Sequence, residues 1–255
     1  MRTSLLSIVL VVSIAAPLQA ASISGSVRAP SGDVSADFPG GPFPGFESVN
    51  LTTKGTVDWL EVGTSVEGLP PGFVSTTATN FKIGGTAIGP LTITTPGIGI
   101  SANSGGNIYK TWTDGTPRLA DSADSNEVLT DGSFSFDVAA TGSTSRLDVF
   151  TSINSGPQAA GSGLFVATLK DSLNNVLGTY SQSVASNSAN NIFTVDFSGA
   201  GDHLSVVYSL TSASGTVGLS AATLAAVPEP GSLALGMIAA VGLAIAGIRR
   251  RRRAG

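Results

Sequence analysis

Residues 192–198 read Ile-Phe-Thr-Val-Asp-Phe-Ser, which puts Phe193, Val195 and Phe197 on one side of an extended chain and Thr194 and Asp196 on the other. A period of two marks a half-buried strand. No stretch between residues 22 and 226 shows the sustained three- and four-residue spacing of an amphipathic helix. Leu204, Val206, Tyr208 and Leu210 repeat the alternation, as do Phe134, Phe136 and Val138, then Leu147 and Val149, and the runs 164–169 and 216–224. Turn-forming residues separate them: Asp131-Gly132, Thr141-Gly142, Asn174-Asn175, Gly199-Ala200-Gly201 and Ser214-Gly215. A strand with one apolar face needs a second sheet to cover it, so residues 130–226 predict about six strands of a β-sandwich. Residues 171–178 predict the turn of a hairpin between 164–169 and 177–183.

Residues 47–129 are β-like but less regular, with candidate strands at 49–52, 56–62, 74–83 and 91–95, and with Trp59 and Trp112 as candidate core anchors. The fold class expected is therefore all-β, a sandwich over residues 47–226. Ahead of it, residues 22–46 read as a lead-in, Pro/Gly-rich from Pro30 onward, and 221–227 read as a short tether to the C-terminal segment. The chain has no cysteine, so the fold rests on its core rather than on cross-links, and thiol chemistry, iron–sulfur clusters and thiolate zinc sites are excluded.

Both ends differ from this middle. Arg2 precedes an apolar run from Leu5 to Ala16, broken only by Ser7 and Ser13; Pro17 ends it, and Ala20-Ala21 supplies small residues for a signal peptidase. Twelve apolar residues fall short of the roughly 20 that span a bilayer, so residues 1–20 read as a cleaved signal peptide. At the other end, Val227, Pro228, Glu229 and Pro230 precede seventeen uncharged residues, 232–248, and then Arg249, Arg250, Arg251, Arg252 and Arg253. At ~1.5 Å per residue the apolar run is about 25 Å long, the short side of a ~30 Å hydrocarbon core. Each arginine costs about 2.5–3.5 kcal/mol at the centre of a membrane helix, so the block stops transfer and stays on the cytoplasmic side. Two prolines keep the preceding motif out of any helix or sheet and leave it extended at the outer boundary.

Motif, apolar helix and arginine block, in that order within residues 227–255, closely resemble the PEP-CTERM sorting signal. The resemblance implies recognition by an exosortase, an integral-membrane transpeptidase-like enzyme, and release from the anchor near Pro-Glu-Pro. It implies a precursor in the inner membrane with its ectodomain outside the cytoplasm, a mature form at the cell surface or secreted, and frequent association with exopolysaccharide. Val57-Asp58-Trp59 and the 111–116 segment resemble parts of the jelly-roll, galactose-binding-like domains found ahead of such tails.

Residues 22–226 hold seven of the thirteen basic and sixteen of the seventeen acidic residues, a net charge of 7 − 16 = −9. An acidic exported domain argues against nucleic acid as a partner. The single histidine, His203, would have to serve any Ser-His-Asp triad, and there is no G-x-S-x-G elbow. The 97–102 segment fits a dinucleotide fingerprint on paper, but Asn103-Ser104-Gly105-Gly106 cannot start the helix it needs. Asp121, Asp124, Asn126, Glu127 and Asp131 form an acidic loop that is at most a structural calcium site, without the spacing of a calcium-binding loop. Trp112, Tyr109 and Arg118 are the candidates for contact with sugar. The expectation is a non-enzymatic surface or matrix protein of structural or adhesive role, with a carbohydrate-binding module as the alternative and a secreted hydrolase a more distant one. No cofactor is expected.

Overall fold

A computed structural model describes residues 21–31, 47–62, 79–96, 100–103, 108–116, 121–124, 127–141, 143–154, 161–186, 188–199 and 202–228. In chain order these form β1 (Ser22–Arg28), β2 (Glu47–Asn50), α1 (Leu51–Lys54), β3 (Asp58–Val62), β4 (Thr79–Lys82), β5 (Thr92–Thr94), β6 (Ile100–Asn103), β7 (Ile108–Trp112), β8 (Gly115–Thr116) and β9 (Asp121–Asp124). They continue as β10 (Glu127–Thr130), β11 (Ser133–Ala139), β12 (Ser145–Asn154), β13 (Gly161–Lys170), β14 (Val176–Ser186), β15 (Ser188–Ser198), β16 (His203–Leu210) and β17 (Thr216–Ala226). The signal segment and the tail from Glu229 onward lie outside the described residues.

The alternation of apolar and polar residues builds a frame of eight consecutive strands. β10, β17, β12 and β15 pair in that order in one sheet, and β14, β13, β16 and β11 in the other, every pair antiparallel. Only the β13–β14 hairpin keeps two successive strands in one sheet; every other connection crosses to the opposite layer. β17, the last strand, sits between β12 and β10, so the end of the frame closes on its beginning. The first sheet grows to nine strands by adding β1 beside β15, β3, β4 and β8 beyond β17, and β6 beside β10; β5 makes the second sheet five-stranded. The described strands between 47 and 129 thus extend these two sheets or, as β2, β7 and β9, form a small third one.

Between the sheets, Phe165 of one layer stacks on Phe193 of the other with ring centroids 4.2 Å apart, and Tyr208 tilts against both. Leu147, Val149, Val195, Phe197, Leu204, Val206 and Leu224 fill the same core. Burial pushes the Tyr208 hydroxyl well above its ordinary pKa, and it donates to the Ser152 carbonyl at 3.3 Å. On the far face of the nine-stranded sheet a second cluster, Val49, Leu51, Trp59, Ile108, Trp112, Phe150, Ile192 and Ala221, is covered by α1 and a small sheet of β2, β7 and β9. Trp59 and Trp112 are both fully buried there, as expected of core anchors.

β17 carries both cores at once. Val217 to Leu224 are all buried, and a bulge at Ser220 lets Leu219 pair with Thr151 while Ala221 pairs with Phe150. The extra residue switches the phase of the alternation: Val217 and Leu219 face the main core before it, Ala222 and Leu224 after it.

Two expectations change. Residues 22–28, placed in the lead-in, form β1 and pair with β15 along their whole length, so the sandwich starts at Ser22 rather than 47. Residues 221–224, read both as the end of a strand over 216–224 and as the start of the tether, belong with Ala225 and Ala226 to the second half of β17, paired with β12. The candidate strand at 49–52 divides as well. It ends at Asn50, whose Oδ1 accepts the Thr53 N–H at 3.1 Å and caps the single turn of α1. Among the described residues no helix is long and apolar enough to cross a membrane.

Candidate functional site: the tail junction and the polar groups behind it

Ala226 pairs with Ser145, and the Val227 N–H donates to the Thr144 carbonyl at 2.8 Å. Pro228 comes next with no N–H to offer, so the ladder stops there. Val227 and Pro228 therefore leave the sandwich directly from an interior strand, with no spacer. Glu229, Pro230 and Arg249–Arg253 lie outside the described residues. The end of the sandwich from which the tail departs also carries the start of β1, since Ser22 pairs with Ser198 and its hydroxyl lies 2.9 Å from that of Ser198. The β16 start at His203 and the β13–β14 turn belong to the same end, because His203 pairs with Lys170 and Lys170 with Val176. His203 lies half-buried at this rim, as the first residue of β16.

Behind the junction the sheet holds a buried ion pair. Lys110 Nζ donates to Glu61 Oε1 at 2.7 Å, to the Val62 carbonyl at 3.2 Å and to the Ser220 carbonyl at 3.3 Å, and Asn80 Nδ2 donates to Glu61 Oε2 at 3.0 Å. Both charged side chains have no exposed surface. The bulge makes this possible: Ser220, left out of register, turns its carbonyl toward the lysine. Asp58, also buried, accepts the N–H groups of Trp59, Ala87 and Ile88, each at 2.8 Å, and so fastens the segment after β4 to β3. Lys110 and Glu61 bind each other and tie the small sheet to the large one, while Asp58 holds backbone N–H groups. Sequence reasoning missed Lys110, although it lies in phase with Ile108 and Trp112, on the buried side of an alternating strand.

The candidate sugar contacts do not converge. Trp112 is inside the second core with its ring centroid 5.8 Å from that of Trp59, so neither face is offered to a ligand. Tyr109 occupies the opposite phase of β7 and is half-buried, and Arg118 lies outside the described residues. The acidic loop is divided as well. Asp121 and Asp124 belong to β9 in the small sheet, Glu127 is buried in β10 of the nine-stranded sheet, and Asn126 lies outside the described residues. Among the described residues no three His, Asp or Glu side chains are grouped to hold a metal ion.

Two partly buried carboxylates link the layers. Burial raises the pKa of Asp114, but Lys82 Nζ at 2.8 Å, Thr52 Oγ1 at 2.6 Å and Trp59 Nε1 at 3.0 Å outweigh it and hold the group below the usual range. Burial likewise raises Glu47, and the Arg28 fork at 2.6 and 2.7 Å with the Ser31 N–H brings it down. A carboxylate with a depressed folded-state pKa contributes stability that is complete above its unfolded value, about 4, and is lost as pH falls through the folded value. The unfolding midpoint is therefore expected to fall as pH drops below about 4, and Asp114→Asn to flatten that fall; thermal melts across the acid range measure both.

A family model of the PEP-CTERM protein-sorting motif matches residues 226–253. The motif indicates an exported, membrane-anchored precursor that is sorted to the cell surface and processed by an exosortase. Its first residue, Ala226, is the last residue of β17. Among solved structures the chain is similar to the enzymatically active domain of bacteriophage CBA120 tailspike protein 4, with 14% identity, 51% of this chain and 19% of that chain covered, and a TM-score of 0.33. It is also similar to TmCBM61, solved in complex with beta-1,4-galactotriose, with 15% identity, 54% of this chain and 89% of that chain covered, and a TM-score of 0.32. The chain thus spans only about a fifth of the tailspike domain. No curated protein matches it.

Proposed function

We propose that this chain is a non-enzymatic component of the cell surface or extracellular matrix, structural or adhesive in role and associated with exopolysaccharide. Its sandwich is a jelly roll, as the strand orders β10-β17-β12-β15 and β14-β13-β16-β11 support. A signal peptidase removes residues 1–20. Residues 232–248 span the inner membrane as a helix with Arg249–Arg253 inside, until an exosortase-type transpeptidase acts at Val227-Pro228-Glu229-Pro230. The observation that carries this reading is the sorting motif continuing directly from β17, which makes the sandwich itself the cargo. A structural role is favoured because the most buried charged groups, Lys110, Glu61 and Asp58, are engaged in joining strands and layers. The net charge of −9 between residues 22 and 226 favours a partner other than nucleic acid.

Replacing Pro228, Glu229 and Pro230 with alanine is expected to trap the protein in the inner-membrane fraction, read by fractionation and immunoblotting. Release at the normal level would overturn the assignment of the processing site.

A further inference from the structure

Three of the four large hydrophobic side chains exposed among the described residues belong to one hairpin: Leu173 at 79%, Val176 at 62% and Leu177 at 44%. This β13–β14 hairpin lies at the end of the sandwich from which the tail departs. Val176 pairs with Lys170 and Lys170 with His203, the first residue after the short connection from β15; at the end of β15, Phe197 pairs with Ser145, which pairs with Ala226. β14 also lies against β1, since a Cβ on Gly178 would come 2.7 Å from Ile23 Cγ2. Gly178 is covered by Ile23; nearer the tip a bulge at Leu177 shifts the register and sets Val176 opposite Lys170, and both Val176 and Leu177 are left bare.

The turn is built to leave water. The Leu173 and Asn175 N–H groups both donate to Asp171 Oδ1 at 2.8 Å, the Asn174 N–H to the Asp171 carbonyl and the Asp171 N–H to the Asn175 carbonyl. Asn174 takes the left-handed φ of 66° that closes it. Four backbone donors satisfied within the turn lower the cost of placing it where water is scarce. Asp171 is consumed by these contacts, and its carboxyl is held below the usual range by the Asn175 side chain and the turn N–H groups. Lys170, Asp202 and His203 also lie at this rim.

We propose that Leu173, Val176 and Leu177 enter the interfacial layer of the membrane that holds the tail, so that the precursor stands on two feet, the anchor and this hairpin. The inference rests on the reading of 232–248 as a membrane helix. Five residues separate Ala226 from Ser232, and a fully extended chain covers at most ~3.3–3.6 Å per residue, so the rim lies within about 20 Å of the hydrocarbon. β1 and β17 are three ladder spacings apart, roughly 14 Å, which sets the hairpin beside β1 well to one side of the tail. Two separated contacts fix the tilt of the sandwich and hold residues 227–231 along the bilayer surface, where a membrane enzyme works.

The chain has no cysteine, so single probes can be placed in the full-length precursor: Leu173→Cys at the tip, Ala240→Cys within the proposed anchor and Ser214→Cys on the opposite end of the sandwich. Each is labelled with NBD and reconstituted in phosphatidylethanolamine–phosphatidylglycerol vesicles carrying acyl-chain doxyl quenchers. Quenching at 173 is expected to be severalfold that at 214 and to approach that at 240. Quenching at 240 with 173 no different from 214 overturns the hairpin contact and leaves the anchor standing. No quenching at 240 overturns the anchor reading, and this inference with it. Disulfide-linked pairs of the unlabelled Leu173→Cys protein, without quenching at 173, would mean that a second copy covers the hairpin instead of lipid.

Discussion

Replacing Lys110 with methionine is expected to cost about 3–5 kcal/mol, the usual consequence of removing one partner of a buried ion pair. Methionine matches the lysine stem in length, so the loss reports charge rather than a cavity. It leaves the Glu61 carboxylate without exposed surface and without its cation, the Asn80 amide still donating to it, and it strips the Val62 and Ser220 carbonyls of a common donor. For a domain of this size each kcal/mol moves the midpoint by about 2–4 °C, so the melt should shift by on the order of 10 °C. Adding Glu61→Leu is expected to recover much of the loss, because two apolar groups of suitable volume replace a buried pair at little cost. A single-variant shift of only a degree or two would mean that Glu61 reaches water or takes up a proton without strain. The pair ties β7 of the small sheet to β3 and β17 of the large one, so the single variant should also loosen the cover over Trp59 and Trp112; a red-shifted tryptophan emission would register this.

How far such features can be read in advance depends on what each strand faces. β11 and β16, and β15 from Phe193 onward, have one face on the core and one toward solvent, so their alternation is plain and their positions follow from it. β3 is buried at all five positions and shows no alternation; what marks it is Trp59 between two acids that look solvent-facing and are not. β17 hides differently. Its bulge at Ser220 breaks the period, and four of its last six residues are alanines with little intrinsic preference for strand, so 221–224 read both as the end of a strand and as the start of a tether. Small side chains suit a strand enclosed on both faces. β1 is concealed by Gly25, whose missing side chain makes room for the Tyr180 ring: a Cβ there would lie 2.6 Å from Tyr180 Cδ1. The same limit holds at the site. The sorting motif is a contiguous string and is legible in full, whereas Lys110, Glu61, Asn80 and Ser220 meet only because β3 pairs with β4 and β17 and the small sheet lays β7 over them. Trp112 reads both as a core anchor and as a sugar contact, and only burial decides between them.

A chain that stops at Ser220 is expected not to fold, whereas one that stops at Val227 keeps the sandwich. Residues 221–224 pair with β12 on one side and β3 on the other, so their loss leaves two unpaired edges in the middle of the large sheet. It also removes Ala222 and Leu224 from the main core and Ala221 from the second. Deleting one buried leucine side chain costs about 2–5 kcal/mol, and domains have only about 5–15 to lose. The loss of Leu224 together with its strand exceeds that margin. Protease resistance and a cooperative urea transition separate the two outcomes, and cooperative unfolding of the Ser220-terminated chain would show that β17 is dispensable. The requirement reaches into processing. On the proposed topology, closure of the frame needs the residues that leave the cytoplasm last before the tail, so the sandwich would complete itself only when its rim is within a few residues of the proposed anchor. An enzyme acting at the proposed site would meet folded cargo, and a cut that removes Leu224 would undo the fold. Intact mass measurement of the released protein is accordingly expected to place its C-terminus at or beyond Val227; a folded, released form ending at or before Leu224 would overturn the role assigned to the last strand.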